Sequence, residues 1–510
     1  MTAIATREAG HPRDGVRGVR RGLARTPEPA PGALALRFLT AALIPALLSA
    51  DLNIGHQMNT GMIASFALAP IWFPYFVKVP AGGVFVLSCL AFLGAGFLLT
   101  WVSESDHQVA KSLAVIAAMN FAVDLFAVGA LFWSCRIIGV HATVGIYAFV
   151  WLLDSLATPA SWADNPWKFG FVLPVSLLVF SLVDKLRYPA LTILAAIGLG
   201  AFSILNDSRS VFTVFILTAI TLTWQRFRAK TVREPSLAFF LAAVVVVGGG
   251  AYYTITRLLV SGLLGTGLKT RSEAQVEASG SLLLGGRPEW TVTIRLFQEH
   301  PWGFGLGTIP SPADFELGRQ GFASIHLLAQ ENYLKHYVFD GSLHLHSIVA
   351  DLWAAGGPAG ILLVVVMLWI LLTSLADELA HRTATATQTF LSLLALWHIG
   401  FSPSYSNLHK VTLALAVGLA ARAATRVLDE RRATEATGLP AALVPEHSRT
   451  QPPLPGGPPT SGLRLPVTSG IRLPPVTSGL RLPSARGRSS GSGPEPRRSG
   501  GTSAGESGGP

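Results

Sequence analysis

The residues best suited to chemistry lie in the second half of the chain, with one outlier upstream. His346 stands in the run His344-Leu-His346-Ser347, directly before an apolar stretch that holds Asp351, Gly357 and Gly360. A neutral imidazole near pH 7 can accept a proton, and periodicity puts His346 at the start of a helix, accessible to a partly hydrated site. His344 competes with it for that task. Arg287 heads Arg287-Pro-Glu-Trp290, and Arg209 closes Asn206-Asp-Ser-Arg209. A guanidinium stays charged and grips phosphate through two parallel hydrogen bonds, so these two residues together could clamp a diphosphate without a metal. For Arg209 the alternative is snorkelling to lipid headgroups. Between the arginine and histidine motifs runs Pro301-Trp-Gly-Phe-Gly-Leu-Gly307, where Gly303, Gly305 and Gly307 either admit a ligand close to the backbone or form a tight turn.

The elements that must position these residues follow from composition. Of 510 residues, 50% are hydrophobic and only 13% charged, about half the charged share of a soluble domain. The chain therefore reads as an all-α integral membrane protein. Two cysteines exclude a disulfide-built domain and offer no CxxC signature. A helix of about 20 apolar residues crosses the hydrocarbon, and twelve stretches qualify: Ala33–Ala50, Gly61–Val77, Gly82–Trp101, Leu113–Trp133, Ile137–Ala157, Phe169–Val183, Pro189–Leu205, Ser210–Trp224, Leu237–Thr256, Ser347–Leu372, Thr389–Ser402 and Val411–Ala424. Asp124, His141, Asp154 and His398 interrupt these runs. The aspartates either line a cavity or tie helices together, and His398 reads as structural.

Charge sorting orients the array. The formal charge of +10 would suggest nucleic acid in a soluble protein, but here the excess lies in tails and short loops, so no nucleic-acid partner is expected. With both termini cytoplasmic, the inner loops hold Lys78, Arg136, Lys185, Arg187, the cluster from Arg226 to Arg233, and Arg382. The short outer loops hold only Lys111, Lys168, Arg209 and Lys410. The domain plan is a basic disordered tail over 1–32, nine spans over 33–256, a large folded outer-face loop over 257–345, three spans over 346–426, and a disordered Pro/Gly/Ser-rich tail over 430–510. That tail repeats Ser461-Gly-Leu-Arg-Leu-Pro466 as Ser469-Gly-Ile-Arg-Leu-Pro474 and Ser478-Gly-Leu-Arg-Leu-Pro483 and lacks the composition to bury a core.

The order and spacing of these motifs resemble the O-antigen ligase and O-antigen polymerase superfamily. The resemblance rests on Ser208-Arg209 at a span start, Arg287 with Trp290 before the Pro301 to Gly307 run, and His346 with glycines eleven and fourteen residues on. That glycine register favours His346 over His344. Ser347 stands where the family commonly has Asn, and Ala355 where it often has an acidic residue. The resemblance implies a C-type fold of about twelve transmembrane helices with one large outer-face loop, in the bacterial inner membrane. It implies transfer of a glycan from an undecaprenyl diphosphate donor to an acceptor hydroxyl, with inversion. The acceptor would be lipid A core for a ligase or a second lipid-linked glycan for a polymerase. His346 would be the base and Arg287 and Arg209 the diphosphate ligands, with Trp290, Gly303, Gly305, Gly307, Asp351 and His344 near the substrate. No cofactor and no metal are expected, since neither HExxH nor a paired-aspartate motif occurs in context. The rival class is a transporter or flippase of lipid-linked glycans, which should show internal repeats.

Overall fold

The computed structural model describes residues 31–437 other than 51, 53–59, 160–161, 228–245, 247–248, 251, 255, 264 and 327–330. The N-terminal extension through residue 30, the C-terminal repeats and most of the expected Leu237–Thr256 span lie outside the described residues.

The chain is an all-α integral membrane protein. It opens with α1 (Pro31–Ser49), the short pair α2 (Thr60–Ala67) and α3 (Ala69–Phe76), α4 (Pro80–Ser103), α5 (Lys111–Ile138) and α6 (Val140–Ala157). A π turn at Trp167–Phe171 leads into α7 (Val172–Leu186), followed by α8 (Pro189–Leu205) and α9 (Arg209–Phe227). Next come α10 (Thr266–Ser279), α11 (Leu282–Gly286), α12 (Glu289–Glu299), α13 (Pro312–Ala323) and the single turn α14 (Glu331–Tyr333), which runs into a π turn at Leu334–Val338. The last three helices are α15 (Ile348–His381), α16 (Ala386–Phe401) and α17 (Ser404–Thr437). The only strands among the described residues, β1 (Gln108–Val109) and β2 (Thr308–Ile309), pair antiparallel with Gln108 opposite Ile309.

Eight helices among the described residues are long and apolar enough to cross a bilayer. Their outward leucines, such as Leu87, Leu90, Leu98 and Leu182, are exposed. That arrangement suits lipid, because a helix satisfies its own backbone and only apolar side chains need face the hydrocarbon. The inward faces pack densely. Phe180 of α7, Phe215 of α9 and Phe390 of α16 meet at the centre, with the Phe215 and Phe390 rings stacked at 4.9 Å.

Two expected spans take another form. Gly61–Val77 divides at Leu68 into helices of 8 residues each, about 12 Å apiece and too short to cross alone. Proline explains the break: Pro70 lies in the first turn of α3, where its nitrogen has no hydrogen for the Phe66 carbonyl four residues back and its ring crowds that carbonyl. The indole Nε1 of Trp72 donates to the Ser65 carbonyl at 2.7 Å, satisfying backbone near the interruption. The other case is α15, whose 34 residues contain a kink at Gly357 (φ 56°, ψ −136°) beside Pro358. The stretch after the kink is long enough, at about 36 Å, to span the hydrocarbon. Residues 348–356 are thereby left to build the site.

Candidate functional site

His346 is held by everything around it. The link between the Leu334–Val338 π turn and α15 folds back so that the His344 N–H donates to the Val338 carbonyl at 2.8 Å. One carboxylate oxygen of Asp351 accepts the Leu345 N–H at 2.9 Å, and the other accepts the Ser404 N–H at 2.8 Å. This aspartate ties the link to the start of α17, where an acidic side chain suits the unsatisfied amides of a helix N-terminus. Ser347 Oγ donates to the Ile399 carbonyl at 3.2 Å and adds α16 to the frame. Thus fixed, His346 sits at φ 55°, a left-handed conformation uncommon in residues other than glycine, and is 5% exposed.

The ring orientation selects a tautomer. His346 Nδ1 lies 2.8 Å from the His344 carbonyl oxygen, which can only accept, so Nδ1 carries the proton and Nε2 the lone pair. One ring face stacks on Tyr337 at 4.7 Å and 13°. His344 is differently engaged: its Nε2 lies 3.0 Å from Ser342 Oγ, its ring meets Tyr405 edge-on, and burial holds its pKa below the usual histidine value.

From His346 a chain of contacts reaches Arg287. Tyr337 stacks on Tyr333 at 4.9 Å, and the Tyr333 hydroxyl donates to Glu289 Oε1. Glu289 is 3% exposed, and its other oxygen has no hydrogen-bond partner among the described residues. Burial, then the Glu289 charge, push the Tyr333 hydroxyl above its ordinary pKa, and the nearby Arg287 charge opposes them. Arg287 itself is half-buried, and among the described residues its guanidinium makes no hydrogen bond or ion pair. Trp290, one turn on, donates its indole N–H to the Gly400 carbonyl at 3.0 Å and packs against Phe401. That carbonyl is one of the orphan acceptors at the end of α16, so Trp290 fastens α12 beside the histidine frame.

Arg209 stands apart from this group. It begins α9, where its Nε donates to Asp207 Oδ1 at 3.2 Å and its Nη1 to Ser272 Oγ on α10 at 3.1 Å. Among the described residues, no hydrogen bond or ring contact joins it to the His346 cluster. Its bonds instead connect the α8 to α9 turn with the helices that lead to Arg287.

The glycine run is used for backbone packing. Gly303, Gly305 and Gly307 all have positive φ, and the amides of Phe304 and Gly305 donate to the Ala354 carbonyl just before the α15 kink. A Cβ on Gly305 would lie 2.3 Å from the Thr100 amide nitrogen, and one on Gly357 would lie 2.1 Å from the Trp302 carbonyl. The run is a plug between α4, α5 and α15. Gly305→Ala is expected to destabilise the detergent-solubilised protein by more than about 1 kcal/mol, since both φ and space are incompatible with a side chain; a melting temperature equal to the parent's would contradict this packing.

Sequence reasoning passed over Glu289, Tyr333 and Tyr337. Glu289 was visible inside the Arg287 to Trp290 motif, and the tyrosines are spaced four residues apart, but nothing local tells that they stack towards His346.

The O-antigen ligase family model matches residues 190–365, a stretch that contains Arg209, Arg287, the glycine run, His344, His346 and Asp351. No curated protein and no solved structure matches the chain.

Proposed function

We propose, from the match of residues 190–365 to the O-antigen ligase family model, that this chain is a membrane glycosyltransferase of the O-antigen ligase and polymerase type and moves a glycan from a polyprenyl diphosphate to an acceptor hydroxyl at the outer face of the bacterial inner membrane. The observation that carries the mechanism is the His346 ring, whose Nδ1 is committed to the His344 carbonyl so that Nε2 is the basic atom. Nε2 takes the acceptor proton as the acceptor oxygen bonds to the anomeric carbon. The bond from that carbon to the diphosphate breaks on the opposite face, which inverts the centre. Charge then grows on the leaving diphosphate, and the uncommitted fork of Arg287 meets it with paired hydrogen bonds. Arg209 meets the donor from the α9 side, and the guanidinium groups do the work for which other transferases use a divalent ion. A second lipid-linked glycan or a lipid A core serves as acceptor.

The test is transfer by the purified protein from a lipid-diphosphate glycan to each acceptor. Product formation with release of the lipid diphosphate supports the reading. Movement of intact donor across a vesicle membrane, with none consumed, would replace it with a flippase.

Orientation has its own test. The arginine cluster after α9 argues that a reporter fused after Trp224 reads cytoplasmic and one near Gly318 reads external. Both reporters on the same side would remove the site from the outer face.

A further inference from the structure

We propose that His107, His300 and Asp314 form a binding site for a divalent transition-metal ion of the zinc class, separate from the His346 cluster. The three come from distant parts of the chain: the α4 to α5 connection, the C-terminal cap of α12 and the first turn of α13. One ligand atom from each lies within 4.8 Å of the other two. His107 Nε2 is 3.0 Å from Asp314 Oδ2, and His300 Nε2 is 3.7 Å from Asp314 Oδ1. Donor atoms about 2.0–2.2 Å from a tetrahedral zinc stand roughly 3.3–3.6 Å from one another. The two measured separations bracket that range.

The hydrogen bonding within the trio points to a cation. Asp314 is fully buried, at 0% exposure. Its Oδ2 accepts from the Ser311 amide at 2.7 Å and the Ser311 hydroxyl at 2.8 Å in a capping box, while Oδ1 has no hydrogen-bond partner among the described residues. A buried carboxylate oxygen left unpaired is costly, and Oδ1 faces His300. His107 Nδ1 lies 2.9 Å from Asp106 Oδ1 and its Nε2 lies 3.0 Å from Asp314 Oδ2, and a neutral ring carries a single N–H for these two carboxylates. At the other contact two lone pairs face each other unless a second ring proton or a metal ion lies between them. A carboxylate behind an imidazole is also the arrangement that orients histidine ligands on metals.

Two imidazoles and one carboxylate, with the fourth position open to water, are a donor set that zinc accepts and that calcium or magnesium does not favour. The His107 and Asp314 side chains are 4% and 0% exposed, whereas His300 is 30% exposed and forms the entrance. The ion would clamp the α4 to α5 connection to the 300–314 stretch, which is otherwise paired to it by the two-residue ladder of β1 and β2. Its role is to hold the outer helices on the membrane bundle, and no step of glycan transfer passes through it.

The test uses the full-length protein in detergent, purified on a tag without histidines, stripped with a chelator and titrated with Co²⁺. The expected result is one ion per chain with tetrahedral ligand-field absorbance, displaced by Zn²⁺. Free Zn²⁺ at about 100 times its Kd should shift unfolding about 100-fold towards the folded state. His300→Ala, at the most exposed ligand, and Asp314→Asn should lose both effects. His300→Cys should keep the ion and add a thiolate charge-transfer band, which separates loss of a ligand from loss of folding. No tight binding by the parent chain, or equal binding by parent and His300→Ala, would overturn the site and leave the trio as a proton-bridged cluster.

Discussion

His346→Ala lowers the rate of glycan transfer by about 10²–10⁴-fold, the usual contribution of a positioned general base, with insertion and donor binding nearly unchanged. The expectation follows from the local frame. Asp351, Ser347 and the backbone hold the link to α15 and α17 without help from the imidazole, so its removal need not disturb them. What is lost is the lone pair on Nε2. His344→Ala is the comparison: its carbonyl still orients position 346, and its own ring is engaged with Ser342 and Tyr405, so the effect should be much milder. A fully active His346→Ala paired with an inactive His344→Ala would exchange the two roles. Full activity in both would remove base catalysis altogether.

Arg287→Lys lowers kcat/KM by roughly 10- to 100-fold, the equivalent of one charge-assisted hydrogen bond. Lysine preserves the charge but replaces a planar fork by a point donor. Because Arg287 makes no ion pair or hydrogen bond of its own among the described residues, the loss should appear in donor affinity and rate and not in the melting temperature. Glu289 sharpens the test, since its buried carboxylate is near the same guanidinium and bonds Tyr333. An Arg287→Lys variant that melts far below its parent would mean that the arginine compensates Glu289, with diphosphate binding left to other residues. Parent-like kinetics would exclude a bidentate clamp.

Part of this protein is legible from its sequence because the relevant forces are local. Transfer of about 20 apolar side chains into hydrocarbon is summed along the chain, so membrane-length helices such as α4, α5 and α15 can be read without knowing their neighbours. The glycines at 357 and 360 can be read too, since their spacing from His346 is a property of the chain alone. Their physical purpose is not. Only packing shows that Gly357 bends α15 to receive the Trp302 carbonyl, and that Gly303, Gly305 and Gly307 lie against α4, α5 and α15.

The same division separates the arginines and the polar clusters. Types and order mark Arg209, Arg287 and His346 as candidates, but the tertiary structure decides that Arg209 is paired with Asp207 and Ser272 while Arg287 has no hydrogen-bond or ion-pair partner among the described residues. It also decides that Tyr337 and Tyr333 carry a stack from His346 towards Glu289. His107 and Asp314 are 207 residues apart, and no periodicity or short motif relates them. Hydropathy and turn chemistry act within a helix or a loop, whereas a hydrogen bond between remote side chains exists only once the bundle has brought their backbones together.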